Sequence, residues 1–418
     1  MSTPRQTSRP ASGSSGAFRS LKGYNYRLWA GGALVSNIGT WVQGTAQNWL
    51  VLTVLTHHRA SAMGLVMSLQ MIPQLLLLPW TGSAADHSDQ RRLLMLTQSA
   101  MGALAIGLGV LTVTGLVQLW HVYAFALLFG CVSAFDSPVR QVFVSQLVGD
   151  EDLHNAVTLN SLSFNMGSLV GPAAAGLLIA AFGTGWAFLL NGASFLAVLA
   201  SLFRIRTAEL HGADRASRAR GSFVESLRYV AGRPDLITIL VMLALVGTFG
   251  LNFSIFISTM AVRVFHADAR GFGVLSSMMA AGTVIGAFAS ARRRERPTLR
   301  TLAWSAALLG GAYTLAALAP TYWSFGAVLA VLGLGYLVFI TGTNALMQLS
   351  TEPAMRGRVM AMRIGIALGG APLGAPIVGW IADNWGPRWA LGVGAASGFS
   401  AALVGTAILL RRARARQG

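Results

Sequence analysis

Apolar runs of about 20 residues, separated by short polar or charged segments, recur along the whole chain, and a helix of that length crosses the hydrocarbon core of a bilayer. They predict spans at 28–56, 61–84, 93–116, 120–145, 154–182 and 185–203, then at 236–262, 271–291, 299–319, 322–347, 358–382 and 388–410. The expected fold class is therefore an all-α membrane protein with twelve transmembrane helices. Within the runs, span 1 departs from uniform apolarity. At 100° per residue, Ser36, Asn37, Thr40, Trp41, Gln43, Gly44, Gln47 and Asn48 fall on one arc of about 160°, opposite Val35, Ile38, Val42, Ala46 and Trp49. So wide a polar face in a spanning helix looks either at a cavity or at hydrogen-bonding neighbour helices. Thr158, Ser161, Asn165, Ser168 and Pro172 make a second polar face in span 5, which suits a cavity or, beside Gly167 and Gly171, tight packing and a kink.

The runs divide into two sets. QLVGDEDLHNAV from Gln146 is answered by QLSTEPAMRGRV from Gln348, and GPAAAGLLIAAFG ending at Gly183 by GAPIVGWIADNWG ending at Gly386, an offset of about 203. Two pseudo-symmetric six-helix bundles follow, at 18–206 and 234–411. Between them, 207–233 reads as a polar linker with a short amphipathic helix in which Phe223, Leu227 and Val230 share one face on the membrane surface. The Ser/Pro/Arg-rich residues 1–17 read as a disordered tail, and 412–418 as a basic one. A parallel repeat of this kind places the cargo site between the halves near mid-membrane.

Composition agrees: 54% of the 418 residues are hydrophobic and 11% charged, with mean hydropathy +0.59. The formal net charge of +17 is explained by topology. Of the 31 lysines and arginines, 27 lie in segments on the side of the termini, against Arg59, Arg263, Arg270 and Arg388 on the other. By the positive-inside rule both termini are cytoplasmic. Trp120, Trp186, Trp323, Trp385 and Trp389 sit at the predicted opposite ends as interfacial anchors. Arginines dispersed between apolar runs form no contiguous basic face, which argues against nucleic-acid binding. Cys131 stands alone, so an intramolecular disulfide and a multi-thiolate metal site are excluded. No phosphate-cradling Gly-rich Lys-Ser/Thr loop is present, and no paired carboxylates, His-metal set or nucleophile with a base occurs at workable spacing. No cofactor, metal or enzymatic role is expected.

The segment GSAADHSDQRR, Gly82 to Arg92, resembles the Gly-x-x-x-Asp-Arg-x-Gly-Arg-Arg loop of the major facilitator superfamily. Gly82 and Asp86 fit, while His87, Asp89 and Gln90 replace arginine, glycine and arginine, leaving Arg91 and Arg92 to supply the basic charge. Its second-half counterpart, GAFASARRRER from Gly286, has Ser290 for the aspartate. FDSPVRQVFVSQLV at 135–148, NAVTLNSLSFNMGSLVGPAAAG at 155–176 and RGRVMAM at 356–362 resemble the branch holding enterobactin exporters and macrolide efflux proteins. Gly167, Gly171 and Pro172 partly match the span-5 pattern of the superfamily's antiporters.

The resemblance implies the major facilitator fold in a bacterial inner membrane. It implies a monomer that exports a small amphipathic drug, macrolide or siderophore-like molecule by alternating access, with proton coupling. A solute importer of the same fold is the alternative, and a membrane sensor or enzyme the remote one. Span 1 lines the cavity in that fold, so Asn37, Thr40, Trp41, Gln43, Gln47 and Asn48 are cargo candidates, joined by Asn165, Asn252, Phe256, Tyr336 and Asn344. Gly82, Asp86, Arg91, Arg92, Asp136, Arg140 and Arg363 are candidates for gating. Asp136 is the one acid drawn inside a span, toward its cytoplasmic end, with Arg140 at i+4 on the same face. It is either a structural member of the inner gate or the protonation site. Arg363, a turn into the predicted span 11, is expected to join Asp86 in a cytoplasmic cluster. The absence of central charge favours an amphipathic cargo over a strongly charged one.

Overall fold

The computed structural model of the chain describes residues 18–77, 80–82, 84, 88–211, 223–292 and 296–414. The predicted tail at 1–17, Asp86 and the middle of the linker lie outside these residues. Every regular element described is a helix. The first half holds α1 (Tyr24–Trp49, continued by a π-turn to Leu55), α2 (Ala60–Leu76), α3 (Gln90–Val113), α4 (Leu119–Leu147), α5 (Asp150–Phe182) and α6 (Thr184–Arg204). The short linker helix is α7 (Phe223–Ala231). The second half holds α8 (Pro234–Leu245), α9 (Phe253–Thr259), α10 (Ala269–Arg292), α11 (Leu299–Leu318), α12 (Tyr322–Ser350), α13 (Pro353–Asn384) and α14 (Pro387–Arg414).

Ten described helical stretches are long and apolar enough to cross a membrane, the one from Pro234 to Val264 counted as a single span. The other two of the twelve spans are α1, whose polar stripe lowers its hydropathy, and α2, of which 17 residues are described. The repeat is visible in the boundaries: α4 and α12, α5 and α13, and α6 and α14 each begin 203 residues apart. The turns before α6 and α14 are repeat partners too. Gly183 (φ 85°) and Gly386 (φ 99°) adopt a left-handed backbone that a side chain would strain.

Two predictions need correction. Span 7 is expected to run unbroken over 236–262, but the helix opens into a π-turn at Val246–Gly250 and is interrupted at Leu251 and Asn252. Asn252 Nδ2 donates to Thr248 O at 2.8 Å, the local side-chain-to-backbone bond by which asparagine competes with helix. The carbonyl freed at Gly250 accepts from the Tyr313 hydroxyl, which satisfies it within the protein. Gly370 leaves room for the break, since a Cβ there would sit 2.8 Å from Thr248 N. Span 11 begins at Pro353, not 358, so Arg363 lies in the third turn of α13.

Within the first half α1 packs between α5 and α6, α3 lies against α4 and α6, and α2 against α4. In the second, α11 packs on α14 and α12, and α10 on α12. The halves meet along two seams, α2 with α13 and α5 with α10.

Candidate transport cavity

Both seams are built from small residues that let backbones approach, as helix association in lipid requires. A Cβ on Gly379 of α13 would stand 2.6 Å from Ala60 O of α2, and one on Gly176 of α5 would stand 2.7 Å from Ala269 O of α10. Ser277 Oγ of α10 donates to Leu169 O of α5 at 3.2 Å, and Ser68 Oγ of α2 donates to Pro372 O of α13. Leu169 and Pro372 are repeat partners, so one seam is a copy of the other.

Each seam closes only along part of its helix. On α5 the face Leu169, Pro172, Gly176 continues at helical spacing through Asn165, Ser161, Thr158 and His154, all exposed. On α13 the face Pro372, Ala375, Gly379 continues through Leu368, Ile364, Ala361 and Gly357, also exposed. These are again repeat partners, 203 residues apart. The halves are thus sealed at the end away from the termini (the far end) and parted at the end that carries them. The two parted faces differ in chemistry. His154, Thr158, Ser161 and Asn165 are polar, whereas Ala361, Ile364 and Leu368 are apolar.

The far end carries a lock on one seam. The Asp383 carboxylate on α13 accepts from Ala60 N (2.7 Å), Ser61 N (2.9 Å) and Ser61 Oγ (2.6 Å) at the start of α2. Arg263 donates to the adjacent Ala382 O at 2.7 Å and stands 3.6 Å from Asp383. The N-cap position of α2 is Arg59, whose side chain makes no capping bond. At the corresponding start of α10, Asp268 receives the Gly271 N–H at 2.9 Å. The second half caps its own helix, while the first borrows its cap from the other half. Trp49 stacked on Phe272, centroids 5.8 Å apart, adds an apolar contact between the halves.

The span-1 stripe divides. Asn37 Nδ2 donates to Ser163 Oγ at 2.9 Å, Trp41 lies edge-to-face with Phe164 (5.5 Å) and Thr40 bonds back to Ser36 O; all three are partly exposed, as is Asn48. Gln43 and Gln47 are buried, and Gln43 Oε1 accepts from Asn191 Nδ2 of α6 at 2.7 Å. Part of the stripe therefore glues helices together. Gly167 and Gly171 serve the α1–α5 crossing: a Cβ on Gly167 would come 2.9 Å from Trp41 Cδ1. The helix α5 itself runs on through Pro172. In the second half Asn252 and Phe256 are fully buried at the span-7 break. Tyr336 is partly exposed and edge-to-face with Phe253 at 5.3 Å, and Asn344 is partly exposed two turns further along α12.

The model of the transmembrane secretion effector family matches residues 15–417 of this chain. The chain belongs to that family, within the major facilitator superfamily. Among curated relatives, the staphyloferrin A transporter of Staphylococcus aureus is 26% identical over 354 residues, 84% of this chain and 87% of the relative. The multidrug efflux pump Tap of Mycolicibacterium fortuitum is 27% identical over 374 residues (85% and 88%). The enterobactin exporter EntS of Escherichia coli is 26% identical over 343 (79% and 78%). Among solved structures, the nucleoside transporter NupG superposes with TM-score 0.73 at 11% identity, covering 92% of this chain and 99% of that one. An inward-facing, unoccupied bacterial homologue of the human lysosomal transporter Spinster gives TM-score 0.67 at 15% identity (94% and 96%). The protein is a multi-pass membrane transporter, not an enzyme.

Among this family member's gating candidates, Asp136 is 4% exposed and fully bonded. Thr97 Oγ1 (2.8 Å) and Gln98 Nε2 (2.7 Å) of α3 donate to one of its oxygens, and Arg140 Nε (3.1 Å) and Nη2 (2.8 Å) to the other. Arg140 also lies over the Trp29 ring at 5.6 Å. Arg91 Nε donates to Leu202 O at 2.8 Å, at the C-terminal end of α6 where a cation is favoured. Arg92 pairs with Asp89 at 3.3 Å on the surface, and Gly82 is described while its expected companion Asp86 is not. Arg363 Nη2 reaches Ile340 O (2.9 Å) and Thr343 Oγ1 (3.0 Å) of α12. Asp383, Thr97 and Gln98 are absent from the residues that the sequence singles out, and Arg263 enters there only through the charge distribution. Asp383 leaves one trace at that level, a helix start at Ala60 with arginine where a cap belongs.

Proposed function

We propose that the protein is a secondary active exporter that carries a small amphipathic molecule across the bacterial inner membrane by alternating access. The observation that carries this reading is the pair of repeat-related faces on α5 and α13. They meet at the far end and part at the end bearing the termini, leaving a cleft with one polar and one apolar wall. The 27:4 distribution of lysine and arginine assigns the open end to the cytoplasm. A drug, macrolide or siderophore-like cargo entering from there meets hydroxyl and amide groups on α1 and α5, and alanine, isoleucine and leucine on α13. Export then requires rocking of the halves, so that the far-end seams part as the cytoplasmic faces close. The enterobactin exporter and the multidrug efflux pump among the relatives support the outward direction.

Within this cycle Asn37, Thr40, Trp41, Asn48 and Asn165 contact cargo, with Tyr336 and Asn344 facing them from the second half. Asp136, Arg140 and Arg91 keep the cytoplasmic part of the first half rigid while it moves. The driving force is an ion gradient, with protons the proposed ion. The test is movement of a dye and drug panel in inverted membrane vesicles with an imposed pH gradient. Accumulation that collapses with the gradient is the expected result. Uptake by intact cells with no accumulation in inverted vesicles would replace export by import.

A further inference from the structure

Arg363 is a cation without a counter-charge among the described residues. Its residue is 7% exposed, it lies in the third turn of a membrane-spanning helix, and its partners are one carbonyl and one hydroxyl, both taken by Nη2. Its Nε is buried with no partner among the described residues. The fixed charges of the first half are arranged otherwise, since at the repeat-related place Arg140 is paired with Asp136. Positions 136 and 140 correspond to Phe339 and Thr343, so the second half has the cation, brought in from α13, and no acid. A guanidinium buried in a membrane interior without a carboxylate is costly and persists where something else supplies the negative charge.

Two polar side chains on α12 flank the place where it docks. Tyr336 and Asn344 stand one turn to either side of Ile340, whose carbonyl the guanidinium contacts. Neither the Tyr336 hydroxyl nor the Asn344 amide has a hydrogen-bond partner among the described residues. Residues 336, 340 and 344 form one stripe along α12, partly exposed throughout. The cation lies against this stripe at Ile340. Arginine presents a planar fork of donors that matches a carboxylate, and the phenol and amide beside it add neutral donors.

Resting on the exporter reading above, we infer that Arg363, with Tyr336 and Asn344, holds a carboxylate group of the cargo, so that the transported molecules are carboxylic acids. On this inference Arg363 acts on cargo, a role beyond the gating one expected of it.

The test uses the purified full chain in detergent, with citrate as the probe and its trimethyl ester as the uncharged control, at ionic strength held constant with sodium chloride. Citrate is expected to raise the thermal unfolding midpoint saturably, and the ester to leave it unchanged. Arg363→Gln is expected to weaken the apparent citrate affinity about tenfold or more, and Tyr336→Phe about threefold. Should Arg363→Gln not fold, Arg363→Lys takes its place, because it keeps the charge without the fork. An undiminished citrate response in whichever of these variants folds, or no citrate response in the wild type, overturns the inference. Dye movement in inverted vesicles separates the two proposals. Flux without a citrate response removes the anion site and leaves export standing, whereas a citrate response without flux does the reverse.

Discussion

The two halves share a backbone plan and differ in what they do with it. At positions 203 residues apart, one wall of the cleft is His154, Thr158, Ser161 and Asn165, and the other Gly357, Ala361, Ile364 and Leu368. One half neutralises half-buried Arg140 with buried Asp136, and the other leaves buried Arg363 unpaired among the described residues. One half caps α10 with its own Asp268, and the other waits for Asp383 to arrive across the seam. The lesson is that duplication preserves packing, because the seams depend on small residues at fixed spacing. It leaves polar chemistry free to diverge, because charges and hydroxyls on the parted faces are not held by those contacts.

That contrast can be broken most forcefully at Asp136. Replacing it with asparagine removes the charge facing half-buried Arg140, and the loss should be about 3 kcal/mol, read as a fall in the unfolding midpoint of the purified protein. Adding Arg140→Gln should return part of it. If the single variant is as stable as the wild type, the pair is not structural and the protonation-site reading returns. Asp383→Asn should cost the closed far end about 1–2 kcal/mol, close to a tenfold change in the ratio of closed to open. Distances between spin labels placed across the far-end seam would report it as a larger population at long separation. Unchanged distances would mean that the small-residue seams alone hold this end.

The walls themselves can be made alike. Ser161→Ile with Asn165→Leu gives both faces an apolar surface. Export of amphipathic dyes should fall about threefold, through lost polar contacts of roughly 0.6 kcal/mol, and the most hydrophobic dyes should be least affected. Equal loss for all dyes would show that the variant has damaged the fold or the rocking motion instead. The smallest expected effect sharpens the comparison with Asp136. Arg363→Gln abolishes no ion pair, so the cargo-free protein should stay within about 1 kcal/mol of wild type. A fall as large as that of Asp136→Asn would reveal an acidic partner.

Much of this architecture is legible in the sequence because the bilayer imposes length and polarity on every spanning segment. Runs of about 20 apolar residues give the spans, and the Gln146 and Gln348 segments give the repeat. Direction of polar faces is less legible. A 100° step shows that Gln43 and Asn37 lie on the same side of α1, but not that Asn191 waits for one and Ser163 for the other. The break in span 7 is hidden because 236–262 is apolar nearly throughout, with Gly247, Gly250 and Asn252 as faint signs. Asp383 looks like a loop-end acid, since its partners at Ala60 and Ser61 are more than 320 residues away in the chain. Contacts across the seams follow from three-dimensional packing, and no local pattern encodes them.

The borrowed cap of α2 has a consequence for how the protein can be watched. Whenever the far end opens, the amides of Ala60 and Ser61 lose their acceptor together, and the first turn of α2 is left to fray. Amide hydrogen exchange at these two sites becomes a clock for the transport cycle, running slowly while the far end is shut and quickly while it is open. The equivalent turn of α10, held by its own Asp268, keeps one pace throughout and serves as the internal standard.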